Sequence, residues 1–372
     1  MSSITEQNGG VAARPSGYLH GPLVDLICLG GGSLPILIAL VMLPPAEYRA
    51  SVLATVFIAS HFINNPHFMH SYQIFYDGFG RKTAPGATLR NRYLFAGIVV
   101  PVVMIGYFLW CIATLDVALM GQAMNVMLFL VGWHYVKQGY GILIVESVLK
   151  KAFYNQTEKN WLKWNAFAVW IASWVYGNQL IQEYERYGLT YFSLGLPQEA
   201  LWLSGVVACL TTVIAVVLLV RRSARGPLAL NGLLAYATSA YVWLVVARIE
   251  PMMLLVIPSF HSLQYLAVVW RYQLNKEDAP GLEPVEMFSG LLKLSGAQAA
   301  MLKFVWIGVC LGAVAFWVMP LALDAAIAYR EDLFGPSMFL FLFVIFINVH
   351  HYFLDNVMWR KENPDIREHL FS

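Results

Sequence analysis

Apolar residues run through this chain in long blocks, broken at short intervals by polar and charged loops. A helix that crosses a bilayer needs roughly 20 consecutive, mostly apolar residues. Ten segments meet that pattern: 21–43, 51–75, 92–115, 121–148, 162–182, 201–220, 228–248, 252–271, 302–320 and 335–358. Segment 162–182 and the short boundary between the seventh and eighth segments, around Arg248, Glu250 and Pro251, carry the weakest signal. Segment 284–297 (PVEMFSGLLKLSGA) is too short to span and reads as an amphipathic interfacial helix. The pattern predicts an all-α, polytopic transmembrane helical bundle over residues 19–360. Residues 1–18 form a flexible cytoplasmic tail and residues 361–372 a second cytoplasmic tail.

Composition agrees with this picture. The 372 residues are 59% hydrophobic and 12% charged, against about 25% charged in soluble domains. That excludes an ordinary cytosolic enzyme and a disordered chain. A net charge of +2 gives no reason to expect a nucleic-acid partner. The basic residues also orient the spans. They gather after every even-numbered segment: Arg81, Lys82, Arg90 and Arg92; Lys150, Lys151, Lys159 and Lys163; Arg221, Arg222 and Arg225; Arg271 and Lys276; Arg360, Lys361 and Arg367. Ten spans with both termini cytoplasmic satisfy that bias, in a multi-pass protein of a bacterial inner membrane. The loop 183–200 is acidic and aromatic and reads as a cap on the opposite face. The N-terminus has no signal-peptide pattern, and the halves share no visible repeat. Cys28, Cys111, Cys209 and Cys310 are scattered in apolar segments, as buried thiols are. Trp110, Trp161, Trp164, Trp202 and Trp359 lie near segment ends, as an interfacial belt does. Gly30, Gly31 and Gly32 suit close helix contact rather than nucleotide binding.

Against so little charge, the histidines stand out. Seven of the nine lie in apolar segments: His61, His67, His70, His134, His261, His350 and His351. A polar group in hydrocarbon must face the bundle interior and find a partner. His67 and His70 are three apart and share a helix face; His134 and Gln138, His261 and Tyr265, and His351 and Asp355 are each four apart. His61 lies about half a turn from His70 on a regular helix. Pro66 should open the helix there and bring His61 round, with Asn64 and Asn65 satisfying the freed backbone groups. His350 and His351 diverge by about 100°. With the expected orientation, His61, His134 and His261 fall near mid-membrane and the other four in the cytoplasmic half. All seven therefore come within one cluster.

Neutral imidazole is the commonest metal ligand, and several histidines with a carboxylate suit iron, copper or zinc. The candidate ligands are His61, His67, His70, His134, His261, His350, His351 and Asp355. Tyr135, Lys137 and Gln138 are candidates for positioning oxygen or a polar head group. Trp133 and Tyr135 flank His134 as walls. Lys137 also fits a side chain snorkelling to the interface. Asp25, Asp77 and Glu146 are further carboxylates near the spans.

The spans with their histidine pairs resemble the integral-membrane desaturases and hydroxylases, and the Brp/Blh-type membrane carotene oxygenases. The ending HHYFLDNVMWR is similar to those of bacterial polytopic membrane proteins of unassigned activity. The resemblance implies an iron-dependent oxygenase acting on a lipid, isoprenoid or carotenoid, with His67, His70, His134, His261, His350 and His351 as ligands. The spacing departs from the desaturase boxes: H-x5-H-x2-H and a bare HH stand here, and Ile347 occupies a position where those boxes carry His. Expected partners are the bilayer, an apolar small molecule and a redox partner. Two other readings fit the same residues: a proton-coupled transporter using His and Asp, and a haem protein with His134 and His261 as axial ligands.

Overall fold

A computed structural model describes residues 17–42, 45–180, 183–186, 188–249, 253–277, 285–287 and 292–371. The chain is 83% helical. The ten apolar segments lie in ten long helices. These are α1 (Pro22–Gly31 and Ser33–Met42, bent by 42°), α2 (45–76), α3 (Arg90–Thr114), α4 (Val117–Leu149) and α5 (Gln156–Leu180). They continue with α6 (Gln198–Ser223), α7 (Leu230–Ile249), α8 (Met253–Glu277), α9 (Gly296–Ala326) and α10 (Met338–Met358). A short helix, α11 (Pro364–Leu370), follows. Among the described residues, seven helices are long and apolar enough to cross a membrane, or eight with the bent α1. The protein is therefore a multi-pass membrane protein. Helices α2 and α5 fall outside that set because they carry many polar residues, such as Asn64, Asn65, His67, His70 and Gln73 in α2 and Glu158, Lys159 and Lys163 in α5.

Proline explains three irregular turns. The helices widen to π geometry at Ser60–Asn64, Phe95–Val99 and Val314–Val318. Each segment ends two residues before a proline: Pro66, Pro101 and Pro320. A proline ring pushes away the carbonyl four residues back, which is the middle residue of each widened turn. Two more such turns, Ile27–Gly31 and Thr238–Val242, meet each other. Gly30 has φ 140°, and a Cβ on it would lie 2.5 Å from Thr238 Oγ1. The glycine run thus serves close contact between α1 and α7.

Glycine also sets two other crossings. Gly308 and Gly312 form a G-x-x-x-G stripe on α9, and a Cβ there would meet His70 Cε1 at 2.4 Å and Asn65 Cβ at 2.9 Å. Such stripes let helices approach closely in membranes. On α4, Gly139 fits under Ser239 of α7, where a Cβ would be 2.7 Å from its hydroxyl. Gly232 of α7 lies so close to α4 that its N–H donates to the Glu146 carboxylate, which also pairs with Lys150 at 2.5 Å. Helix α4 has 33 residues, about 50 Å of helix, and carries contacts to α5, α7 and α10 along its length.

Two expectations need correction. Among the described residues of segment 284–297, 285–287 and 292–294 are strands rather than an interfacial helix. Val285–Met287 (β1) and Leu292–Leu294 (β2) pair antiparallel, and α9 begins at Gly296 behind a capping box of Ser295 and Gln298. The sequences V-E-M and L-K-L alternate with period two, which suits strands. The C-terminal residues are docked rather than a free tail: Ile366 and Leu370 of α11 are buried in the core beside α8. Arg271 of α8 donates to Leu370 O at 2.9 Å, and to Tyr18 O and Leu19 O at 2.9 and 2.8 Å. One guanidinium thereby ties the two ends of the described chain. Residues 1–16 of the expected N-terminal tail lie outside the described residues. The acidic loop forms a hairpin, Glu183–Arg186 with Leu189–Phe192. It lies against the start of α4, where a Cβ on Gly121 would meet Thr190 O at 2.2 Å.

Replacing Gly308 with Val should wedge α9 away from α2 and cost about 1–3 kcal/mol through overpacking. Thermal unfolding in detergent reads this directly. Gly106→Ala, where the added methyl meets open space inside α3, should not lower the midpoint.

Candidate metal centre

Four helices each deliver one histidine to a common point. His67 comes from α2, His134 from α4, His261 from α8 and His351 from α10. The rings meet edge to face. Centroids are 4.5 Å apart for His67 and His351, 5.3 Å for His67 and His261, and 5.0 Å for His134 with either His261 or His351. Asp355 Oδ2 lies 3.5 Å from His134 Nε2 and 3.4 Å from His351 Nε2. All five residues are buried. Two subsets each place a ligand atom from every member within 4.8 Å of the others: His67, His134 and His261, and His134, His351 and Asp355.

The inward-facing atoms have no hydrogen-bond partner: His67 Nε2, His134 Nε2, both ring nitrogens of His261 and of His351, and Asp355 Oδ2. A buried polar atom without a partner costs about 1–3 kcal/mol, so this concentration calls for a ligand. Between the rings is a cavity of about 10 Å³, bordered by Phe68, Val131, Tyr135 and Asn348 besides the histidines. That is about one water-sized sphere, the scale of a metal ion. The donor set of imidazole and carboxylate fits such an ion.

Two of the ligand candidates, His67 and Asp355, are held from outside. Ser262 Oγ donates to Asn64 Oδ1 at 2.8 Å, so its oxygen is left to accept from His67 Nδ1 at 3.2 Å. That tautomer leaves a lone pair on His67 Nε2, facing the cavity. Asp355 Oδ1 accepts from Ser71 Oγ and from Tyr265 OH, each at 3.0 Å. Trp359 Nε1 donates to the same tyrosine oxygen at 3.3 Å. The clamped Oδ1 turns Oδ2 toward the histidines. Such outer hydrogen bonds are what orient metal ligands.

The structure separates the remaining candidates from this cluster. His61 faces away: its Nδ1–H donates to Phe57 O at 2.7 Å, and its ring stacks on Trp317 of α9 at 5.6 Å. The widened turn before Pro66 does not bring it round. His70 stacks on Phe304 at 4.3 Å and accepts from Gln73 at 3.1 Å. His350 has both nitrogens occupied: Nε2–H donates to Ala96 O at 2.9 Å, so Nδ1 accepts from Tyr72 OH at 2.8 Å. The 100° divergence sends His351 inward and His350 toward α2 and α3. Of the other carboxylates, Asp25 caps Leu19 N and His20 N, and Asp77 pairs with Lys276 at 2.6 Å. That ammonium holds the exposed Asp77 carboxyl below its ordinary range.

Tyr135, Lys137 and Gln138 border the cluster. Tyr135 lies face to face with His261 at 3.9 Å. Gln138 Nε2 donates to His261 O at 3.0 Å. Lys137 Nζ donates to Asn356 Oδ1 at 2.5 Å. Beyond His134 and Asp355 opens a second cavity of about 600 Å³, within the usual range of ligand pockets. It shares His134 and Tyr352 with the small one. Sequence reading missed Ser71 and Ser262, the residues that fix Asp355 and His67. Ser71 stands four residues after His67, at the spacing that flagged the other three pairs.

The uncompensated nitrogens predict an unusual stability pattern. After chelation, His261→Phe should unfold at or above the wild-type temperature, because two partnerless nitrogens are gone. Chelation should lower the wild-type midpoint and leave that of the variant unchanged, as binding linkage requires. Differential scanning fluorimetry with and without chelator checks both. No protein-family model, curated protein or solved structure matches this chain, so the chemistry of the centre is read from its own residues.

Proposed function

We propose that this chain is a membrane-embedded, iron-dependent oxygenase. In this reading it has ten spans with both termini on the cytoplasmic side of a bacterial inner membrane. His67, His134, His261, His351 and Asp355 hold the iron. The substrate is a lipid, isoprenoid or other apolar molecule admitted through the 600 Å³ cavity, and a redox partner supplies electrons.

One observation carries the reading: His134, His351 and Asp355 converge with partnerless, buried ligand atoms. Two histidines and a carboxylate with open positions are the donor set of non-haem iron oxygenases. With His67 and His261, the set exceeds the four ligands of structural zinc. Iron, when bound, supplies activation of dioxygen. The chain's residues do the rest. Ser71 and Tyr265 hold Asp355 Oδ1 and so aim Oδ2 at the histidines. Ser262 fixes the His67 tautomer. Tyr135 covers His261 and keeps water out. Lys137 and Gln138 hold α10 and α8 against α4 and act as positioning residues. Haem is less well supported, because His134 and His261 sit at 5.0 Å around a space of about 10 Å³, with no slot for a macrocycle.

Two adjacent histidines provide the test. His351→Ala should lose bound iron, measured by mass spectrometry of purified protein. His350→Ala should retain it, because its nitrogens serve Tyr72 and Ala96. Equal iron content in both variants would contradict the ligand assignment, and a Soret band in the wild type would favour haem. For topology, reporter fusions at the C-terminus should be active on the cytoplasmic side only, and a cysteine at Ser193 should label from the opposite side.

A further inference from the structure

We infer that the 600 Å³ cavity beside the candidate centre binds an amphiphile with an anionic head group, a carboxylate or phosphate, held by Lys137, Lys163 and Arg360. The inference rests on the metal-centre reading for the reaction and names the chemical class of its substrate.

The cavity wall has two characters. One side is apolar: Trp133 and Phe167 stack at 4.0 Å, and Ile144, Val145 and Val268 continue the surface. The other carries Lys137 of α4, Lys163 of α5 and, just past the end of α10, Arg360 together with the Lys361 and Glu362 pair. Elsewhere the protein neutralises several of its cations with carboxylates. Lys150 pairs with Glu146, Arg225 with Glu158 and Lys276 with Asp77. For Lys137, Lys163 and Arg360 it does not. Lys137 donates to the neutral Asn356 amide, and Arg360 Nε to Asn356 O at 2.8 Å. Lys163 lies over the Trp164 ring at 5.8 Å. None of the three has an ion-pair partner among the described residues, while their neighbour Lys361 pairs with Glu362 at 4.0 Å. Asp355, the other carboxylate on the wall, is held at Oδ1 by Ser71 and Tyr265, with Oδ2 turned toward the histidines.

Like charges around a cavity with low-dielectric walls repel one another and concentrate anions. A neutral hydrocarbon would bury them without compensation. An anion on a hydrocarbon chain satisfies both sides of the wall. Lys137 is three residues from His134 on α4, roughly 5 Å along the helix, and Arg360 follows Asp355 by five residues, just past the end of α10. The head-group end, rather than the far end of the tail, therefore lies beside the centre.

The test uses the full chain in a neutral detergent, with cis-parinaric acid and its alcohol as fluorescent probes and tryptophan-to-polyene energy transfer as readout. The acid should bind saturably and roughly tenfold more tightly than the alcohol, as expected for a charge-assisted contact. K137Q, K163Q and R360Q should each weaken the acid severalfold and leave the alcohol unchanged, whereas K361Q should change neither. K163Q lies at a partly exposed helix start, so it keeps the test meaningful if a deeper variant fails to fold. Equal binding of acid and alcohol would overturn the proposal. So would displacement of the acid by inorganic phosphate combined with indifference to probe chain length, which would mark a free-anion site. Iron analysis on the same preparations separates the two readings. Iron without acid selectivity removes the anion site alone; acid selectivity without iron removes the metal-centre reading alone.

Discussion

An imidazole nitrogen inside a membrane protein must have a partner, and much of this structure follows from how each one is found. His20, His61 and His350 donate to backbone carbonyls of Ala267, Phe57 and Ala96. His70 takes a side-chain amide. His67, His134, His261 and His351 instead turn toward each other, where neutral rings meeting edge to face leave their inner nitrogens unbonded. The cost of that arrangement falls on one small volume, where a metal ion of the kind proposed above would accept lone pairs from several directions at once.

The centre is built in two layers. Each inward histidine is followed four residues later by a polar side chain: Ser71, Gln138, Tyr265 and Asp355. One helical turn separates the two. Because the four helices run in the same direction, the histidines form one layer and these groups form the next. Three of the latter are joined directly, with Ser71 and Tyr265 on Asp355, and Gln138 bridges α4 to α8. The second layer thus ties α2, α8 and α10 together through Asp355 and α4 to α8 through Gln138. Glycine contacts complete the arrangement. Gly308 opens space for His70, and Gly139 seats Ser239 against α4.

Much of this was legible in the sequence. Hydrophobic blocks located all ten long helices, and the basic loops made α2, α4, α8 and α10 codirectional, which brought their histidines to comparable depth. The i, i+4 pairs on α4, α8 and α10 were visible as spacing. What the sequence hid was phase. His61 precedes the widened turn forced by Pro66, and no spacing rule says which way such a turn rotates the preceding residues. His350 and His351 are neighbours in sequence, and only the position of Ala96 and Tyr72 decides which ring is occupied. The strands at 285–287 and 292–294 had the opposite problem: three-residue alternations are too short to compete with a helical reading until they are seen paired.

The geometry also bears on whether these residues conduct protons or hold an ion. A relay requires each ring to donate to the next group and accept from the previous one, in an unbroken line. Here no direct hydrogen bond joins His134, His261 and His351, and the space between the rings is about one water-sized sphere. Hydrogen bonds are abundant one layer away, where they fix Asp355 and α8, so their absence between the rings is not a general looseness of the bundle. Rigid outer contacts around unbonded inner atoms are what a coordination site needs, because its ligands must be oriented before the ion arrives. The same rigidity would hinder a carrier, whose groups must exchange partners as it turns over. The two-layer arrangement suits the resident ion of the proposed reading.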